Sequence, residues 1–123
     1  MSPVRVVIAD DNELFCSALR AIFEPEPGIV VLGLAADGDE ALRLARELRP
    51  DVVLMDLSMP VLDGFLATER ILAEVPDAKV VVLTGSADEE DVERARTAGA
   101  AGYVTKERIA VELVQAVRTA AHR

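Results

Sequence analysis

Basic excess, paired cysteines and long apolar runs are what this 123-residue chain lacks. Thirteen Lys and Arg stand against 22 Asp and Glu, a net charge of −9, so the summed field repels a polyanion and no Lys/Arg stripe offers phosphate contacts. Direct nucleic-acid binding by this chain is therefore not expected. A single cysteine, Cys16, excludes an internal disulfide. It falls in a helical pattern beside Phe15, Ala18 and Leu19 and reads as packing. Apolar stretches such as Val80 to Leu83 are strand-sized, far below the ~20 residues that span a bilayer, so no membrane crossing is expected. The start, Met1-Ser2-Pro3-Val4-Arg5, has no basic segment followed by a long apolar core, which makes the cytoplasm the expected location. Repeats, low-complexity tracts and linkers are absent as well. At 51% hydrophobic residues, one domain over 1–123 is expected.

What is present is an alternation of two patterns. Short apolar, β-branched runs recur at Val4 to Ala9, Ile29 to Ala35, Val52 to Met55, Lys79 to Leu83 and Ala101 to Val104. Each is bounded by turn-forming residues, and several lack the polar alternation of a half-solvated sheet, as in parallel strands covered on both faces. Between them run helical stripes: Leu14, Phe15, Ala18, Leu19, Ile22 and Phe23; Ala41, Leu42, Ala45 and Leu48; Phe65, Thr68, Ile71, Leu72 and Val75; and Ile109, Leu113, Ala116, Val117 and Ala120. The segment from Glu89 to Ala98 carries only Val92, Ala95 and Ala98 among many charges and should dock most lightly. Asn12, Asp39 and either Ser86 or Asp88 are the expected N-caps, and Gly99 suits a left-handed C-cap.

Five strands alternating with five helices predict an α/β fold, a doubly wound five-stranded parallel sheet of order 2-1-3-4-5. Ligands of such sheets lie beyond the carboxyl ends of the strands, where strand order reverses. The loops at that edge carry Asp10, Asp11 and Asn12, then Asp56, then Thr84 to Ser86, then Lys106. Taken singly, each has an ordinary explanation. An Asp before a helix caps it, an Asp before Met59-Pro60 makes a turn, and a lone lysine faces solvent.

Their conjunction is harder to dismiss. Three acids in one crevice raise one another's pKa unless a cation neutralises them, which calls for a metal, a lysine or both. Oxygen donors without a nearby His suit Mg²⁺ or Mn²⁺ over Zn²⁺. The expected ligands are Asp11, Asp56 and the backbone carbonyl of Ser58, with Asp10 acting through a bound water. With that charge shared by the metal and Lys106, a carboxylate oxygen of Asp56 can attack phosphorus and form an acyl phosphate. Thr84 would donate a hydrogen bond to the new phosphoryl oxygens, and Gly85 leaves the backbone free to approach them.

These segments together resemble the receiver domain of two-component response regulators, of the CheY type within the flavodoxin-like folds, and the resemblance covers Val4 to about Ala121. It is carried by Ile8-Ala9-Asp10-Asp11-Asn12, by Met55-Asp56-Leu57-Ser58-Met59-Pro60 continuing through Val61-Leu62-Asp63-Gly64, by Val82-Leu83-Thr84-Gly85-Ser86 and by Gly99-Ala100-Ala101-Gly102-Tyr103-Val104-Thr105-Lys106. The resemblance implies that Asp56 is the phosphoacceptor, Asp10 and Asp11 the metal-site acids for Mg²⁺, Thr84 the switch hydroxyl and Lys106 the phosphate-binding lysine. It further implies that Tyr103 changes its packing with phosphorylation and that a sensor histidine kinase donates the phosphate. The chain looks most similar to receivers followed by a helix-turn-helix domain, of the NarL/LuxR type. That subgroup implies a transcription-regulator output, DNA contact only through a separate domain, and a possible homodimer formed through the last two helices. Two departures are visible: Glu107 stands where many relatives have Pro, and Asn12-Glu13 replaces a frequent His-Pro. Neither removes a reacting group.

Two other classes fit the pattern less well. An aspartyl-phosphate phosphohydrolase of haloacid-dehalogenase type would carry a second acid two residues after the nucleophile, where this chain has Ser58. A flavin-binding module would need a Ser/Thr/Gly-rich phosphate loop after the first strand, where Asp10-Asp11 offers repulsion.

Overall fold

The computed structural model describes residues 2–57, 59, 63–85 and 88–122. Its strands are β1 (Val4–Ala9), β2 (Ile29–Ala35), β3 (Val52–Asp56), β4 (Lys79–Thr84) and β5 (Gly102–Thr105). The helices between and after them are α1 (Glu13–Phe23), α2 (Gly38–Leu48), α3 (Gly64–Glu74), α4 (Glu89–Ala98) and α5 (Ile109–Ala121), with one 3₁₀ turn over Lys106–Arg108. All strand pairings are parallel and the sheet order is β2-β1-β3-β4-β5, the doubly wound topology expected from the sequence.

Parallel strands need covering on both faces, and two apolar layers supply this. Val7, Val53, Val80 and Val82 pack with α2 and α3 on one face, whereas Val6, Ile8, Leu54, Leu83 and Val104 pack with α1 and α5 on the other. Helix α4 buries only Ala95 and Ala98, in keeping with its charged sequence. Gly99 caps it with φ of +101°, the left-handed conformation that glycine adopts without a Cβ penalty.

Several boundaries differ from expectation, among them the start of β5, which is Gly102 and not Ala101. Strands β3, β4 and β5 each run one residue further, to Asp56, Thr84 and Thr105, because these polar residues still pair in the ladder. At α2 the cap is Asp37, whose side chain accepts the Glu40 N–H at 2.8 Å, and not Asp39. Asp88 caps α4; Ser86, the other candidate, lies outside the described residues.

Candidate functional site

Order reverses at β1 and β3, so the loops leaving these two strands open side by side. At the end of β1 the Asp10 N–H donates to the Ala35 carbonyl, which fixes the residue against the neighbouring strand at 2.9 Å. Asp10 is 2% exposed. Its Oδ1 accepts the Asn12 N–H at 2.9 Å, and Asn12 in turn caps α1 by accepting the Phe15 N–H at 3.0 Å. Capping is thus the task of Asn12, leaving both preceding acids for other work. Asp10 Oδ2 is buried with no hydrogen-bond partner among the described residues.

Asp56 ends β3 and is also 2% exposed. Lys106, which begins the 3₁₀ turn after β5, reaches back across β4 to place its Nζ 3.3 Å from Asp56 Oδ1. The same ammonium lies 5.0 Å from the ring centre of Phe15, a cation–π contact that orients the lysine from the side of α1. Carboxylate oxygens of Asp10, Asp11 and Asp56 all lie within 4.8 Å of one another, with Asp11 at the exposed mouth. Thr84 ends β4 beside them and is buried. Of the expected site, the structure brings together Asp10, Asp11, Asp56 and Lys106. Ser58, whose carbonyl is the third expected ligand beside Asp11 and Asp56, lies outside the described residues. Tyr103 is on β5, 45% exposed, well away from the acids and facing the α4 side.

The electrostatics follow from burial. The Asp10 carboxyl is pushed up to about 6, chiefly because water is stripped from it. The Asn12 N–H bond opposes this, the Asp56 charge adds to it and the Lys106 charge opposes it. Burial and the neighbouring acids likewise push the Cys16 thiol up to about 11. Its Sγ donates to the Asp10 backbone carbonyl at 3.3 Å, so this sulfur is held as a protonated thiol. An orphaned buried carboxylate oxygen, three convergent acids and no free soft donor fit a hard divalent cation.

Three contributors had no assigned role in the sequence. By sequence Phe15 belongs to the apolar stripe of α1 and Cys16 to its packing. Gly64, at the start of α3, has no room for a side chain: a Cβ there would lie 2.7 Å from the Asp56 carbonyl oxygen and 2.8 Å from Leu57 Cα. Helix α3 therefore abuts the backbone that carries Asp56. Only the Asp63-Gly64 pair, cap followed by helix start, signalled such an approach.

An α/β sheet with two buried acids, a third at their exposed mouth and a lysine at its topological switch point defines a class of phosphoryl-responsive switches. The chain matches the family model of the response regulator receiver domain over residues 6–118, and it belongs to that family. It is 44% identical over 117 residues to the transcriptional regulatory protein LiaR of Bacillus subtilis (strain 168), covering 95% of this chain and 56% of LiaR. It is 43% identical over 115 residues to the response regulator GacA of Pseudomonas viridiflava, covering 94% of this chain and 54% of GacA. The chain spans about half the length of these curated relatives. Among solved structures, the receiver domain of the putative response regulator NarL from Mycobacterium tuberculosis superposes with a TM-score of 0.94 at 31% identity, covering 99% of this chain and 98% of that one. The expected fold and two-component membership are borne out. No helix among the described residues is long and apolar enough to cross a membrane.

Proposed function

We propose that Asp56 is the phosphoacceptor of a two-component signalling switch, receiving its phosphoryl group from a phosphohistidine of a sensor kinase. The observation that carries this reading is the buried Asp56 carboxylate at a strand end, 3.3 Å from Lys106 and within 4.8 Å of the oxygens of Asp10 and Asp11. An Asp56 oxygen attacks phosphorus; the O–P bond forms as the P–N bond breaks, and the electron pair leaves with the imidazole. Asp10, Asp11, Asp56 and the Ser58 carbonyl would hold Mg²⁺, which supplies positive charge to the phosphoryl oxygens when bound.

Lys106 keeps its ammonium beside the reacting carboxylate and is placed to pair with the phosphoryl group afterwards. Thr84, on the adjacent strand, donates a hydrogen bond to a phosphoryl oxygen, and Tyr103 repacks on the α4 side in consequence. Phosphate can bias these two arrangements only through such differential contacts. The chain acts as an acceptor that loses its phosphate slowly, and Ser58 in place of a second acid disfavours a turnover phosphohydrolase. By likeness to LiaR and GacA, the whole protein is a cytoplasmic transcription regulator whose DNA contacts lie in another domain, with a homodimer through α4 and α5 as its phosphorylated form.

Incubation with Mg²⁺ and a small-molecule phosphodonor, followed by intact-mass spectrometry, tests the central point. One added phosphoryl group is expected, and none in Asp56→Asn. Label persisting in that variant overturns the assignment. Sedimentation with and without a phosphate mimic tests the dimer.

A further inference from the structure

Among the described residues, Thr105 is the one with a buried hydroxyl that neither the fold nor the site explains. It is 8% exposed, and its Oγ1 has no hydrogen-bond partner among the described residues. A buried polar atom left unpaired is disfavoured, so its retention asks for a second state in which it is paired. The register supplies the candidate partner. Thr105 of β5 is aligned with Thr84 of β4. In parallel strands residues in register stand on the same face, about 4.8 Å apart. Leu83 and Val104, the preceding pair, face α1 and α5, so Thr84 and Thr105 share the opposite face with Val82 and Tyr103. Thr105 thus stands between the two outputs of the strand, next to Lys106 in the chain and in register with the hydroxyl that meets the phosphoryl group.

We propose that Thr105 is a positioning residue of the switch: when Thr84 turns toward a phosphorylated Asp56, the Thr105 hydroxyl donates to Thr84 Oγ1. Thr84 then donates to the phosphoryl oxygen while accepting from Thr105, and each bond polarises the other. The pairing exists in one state only, so it weights the equilibrium toward the phosphorylated arrangement. No covalent step is involved. The inference rests on the reading of Asp56 as phosphoacceptor, and the experiment separates the two.

The probe is beryllofluoride with Mg²⁺, an acyl-phosphate mimic, titrated into the wild-type chain and into Thr105→Val, which keeps the β-branched shape without the hydroxyl. Apparent affinity for the mimic is expected to fall about fivefold in Thr105→Val, the size of one ordinary hydrogen bond. Thr105→Ser should stay within about twofold of wild type, the precision set for this comparison. In a Thr84→Ala background, Thr105→Val should make no further difference, since its only partner is gone. Without the mimic, Thr105→Val should melt no lower than wild type, because the hydroxyl it loses is unpaired. Thr105→Ala is carried in parallel so that the result does not depend on one variant folding.

An affinity loss below about twofold in both Thr105→Val and Thr105→Ala overturns the proposal. So does a fivefold loss that persists when Thr84 is already alanine, since Thr105 would then act through packing alone. A wild-type chain that gains no phosphoryl mass and binds no mimic overturns the reading of Asp56, and this inference with it. A wild type that does both, beside a Thr105→Val that responds alike, overturns the Thr105 inference alone.

Discussion

The Lys106 ammonium sits 3.3 Å from a carboxylate oxygen of Asp56, with Asp56 ending β3, Lys106 opening the turn after β5, and β4 between the two strands. This ion pair is built across the sheet, with Phe15 of α1 holding the lysine from the other side. Lys106→Met keeps an apolar stem against Phe15 but leaves three acids with no cation. Without divalent ions at neutral pH, stability should fall by about 1–2 kcal/mol, less than for a fully buried pair because the lysine is partly exposed. Chemical denaturation should show the loss, and added Mg²⁺ should recover much of it.

Asp10 gives a pH prediction with a definite sign. Its carboxyl titrates near 6 in the folded chain, against 3.8 ordinarily, so the folded state holds this proton more tightly than the unfolded one. Its contribution to stability is therefore full below about pH 4 and is lost as pH rises through about 6. Asp10→Asn removes the buried charge while still accepting the Asn12 N–H. In the absence of divalent ions it should melt about 5 °C or more above wild type at pH 7, an advantage that shrinks as pH falls below 6. Equal shifts at pH 5 and pH 7.5 in a thermal melt would contradict this. Metal affinity should fall over the same range, because the proton competes for the site.

Cys16 should behave as an inert thiol. With its proton shared with the Asp10 carbonyl and its pKa pushed up to about 11, alkylation at pH 8 should proceed only as fast as the chain opens. Iodoacetamide labelling followed by mass spectrometry measures this rate. Labelling as fast as that of a free thiol would show that the sulfur is not enclosed.

Gly64→Ala tests the contact between α3 and the Asp56 backbone. A Cβ 2.7 Å from a carbonyl oxygen cannot be absorbed by a side-chain rotation, so the turn itself must move. A loss of about 1–3 kcal/mol is expected, together with slower acceptance of phosphate than in the wild-type chain. A variant as stable and as readily phosphorylated as wild type would show that the turn relaxes freely.

Much of this architecture is legible in the sequence, for identifiable reasons. The near-continuous apolar runs of β1, β3 and β4 mark strands covered on both faces, and the chemistry-bearing residues directly follow them. Strand ends were less readable because Asp56, Thr84 and Thr105 keep ladder pairing despite their polarity. Asp37 and Asp39 are equally plausible caps by composition; only backbone conformation, extended at Asp37 with φ of −154°, separates them. Features that depend on the assembled fold left no trace in the pattern: the cation–π pair of Lys106 with Phe15 joins distant segments, the thiol bond of Cys16 depends on how α1 leaves β1, and the unpaired hydroxyl of Thr105 on its burial.

The light docking of α4 has an outcome measurable by amide exchange. With Ala95 and Ala98 as its buried residues, against Ile109, Leu113, Val117 and Ala120 in α5, its amides should exchange faster than those of α5. Comparable protection in the two helices would show that α4 is anchored by more than these alanines.

The order of β3, β4 and β5 would give the proposed switch a direction. Asp56 lies on the central strand and Tyr103 on the outermost one, two strand spacings or roughly 10 Å apart across the sheet. On the proposed reading a signal between them would cross β4 perpendicular to the polypeptide, stepping from the Asp56–Leu83–Val104 row to the Met55–Val82–Tyr103 row one residue back, and need not follow the chain around α3 and α4. The helices can then diverge in sequence to suit different listeners while the crosswise path stays intact.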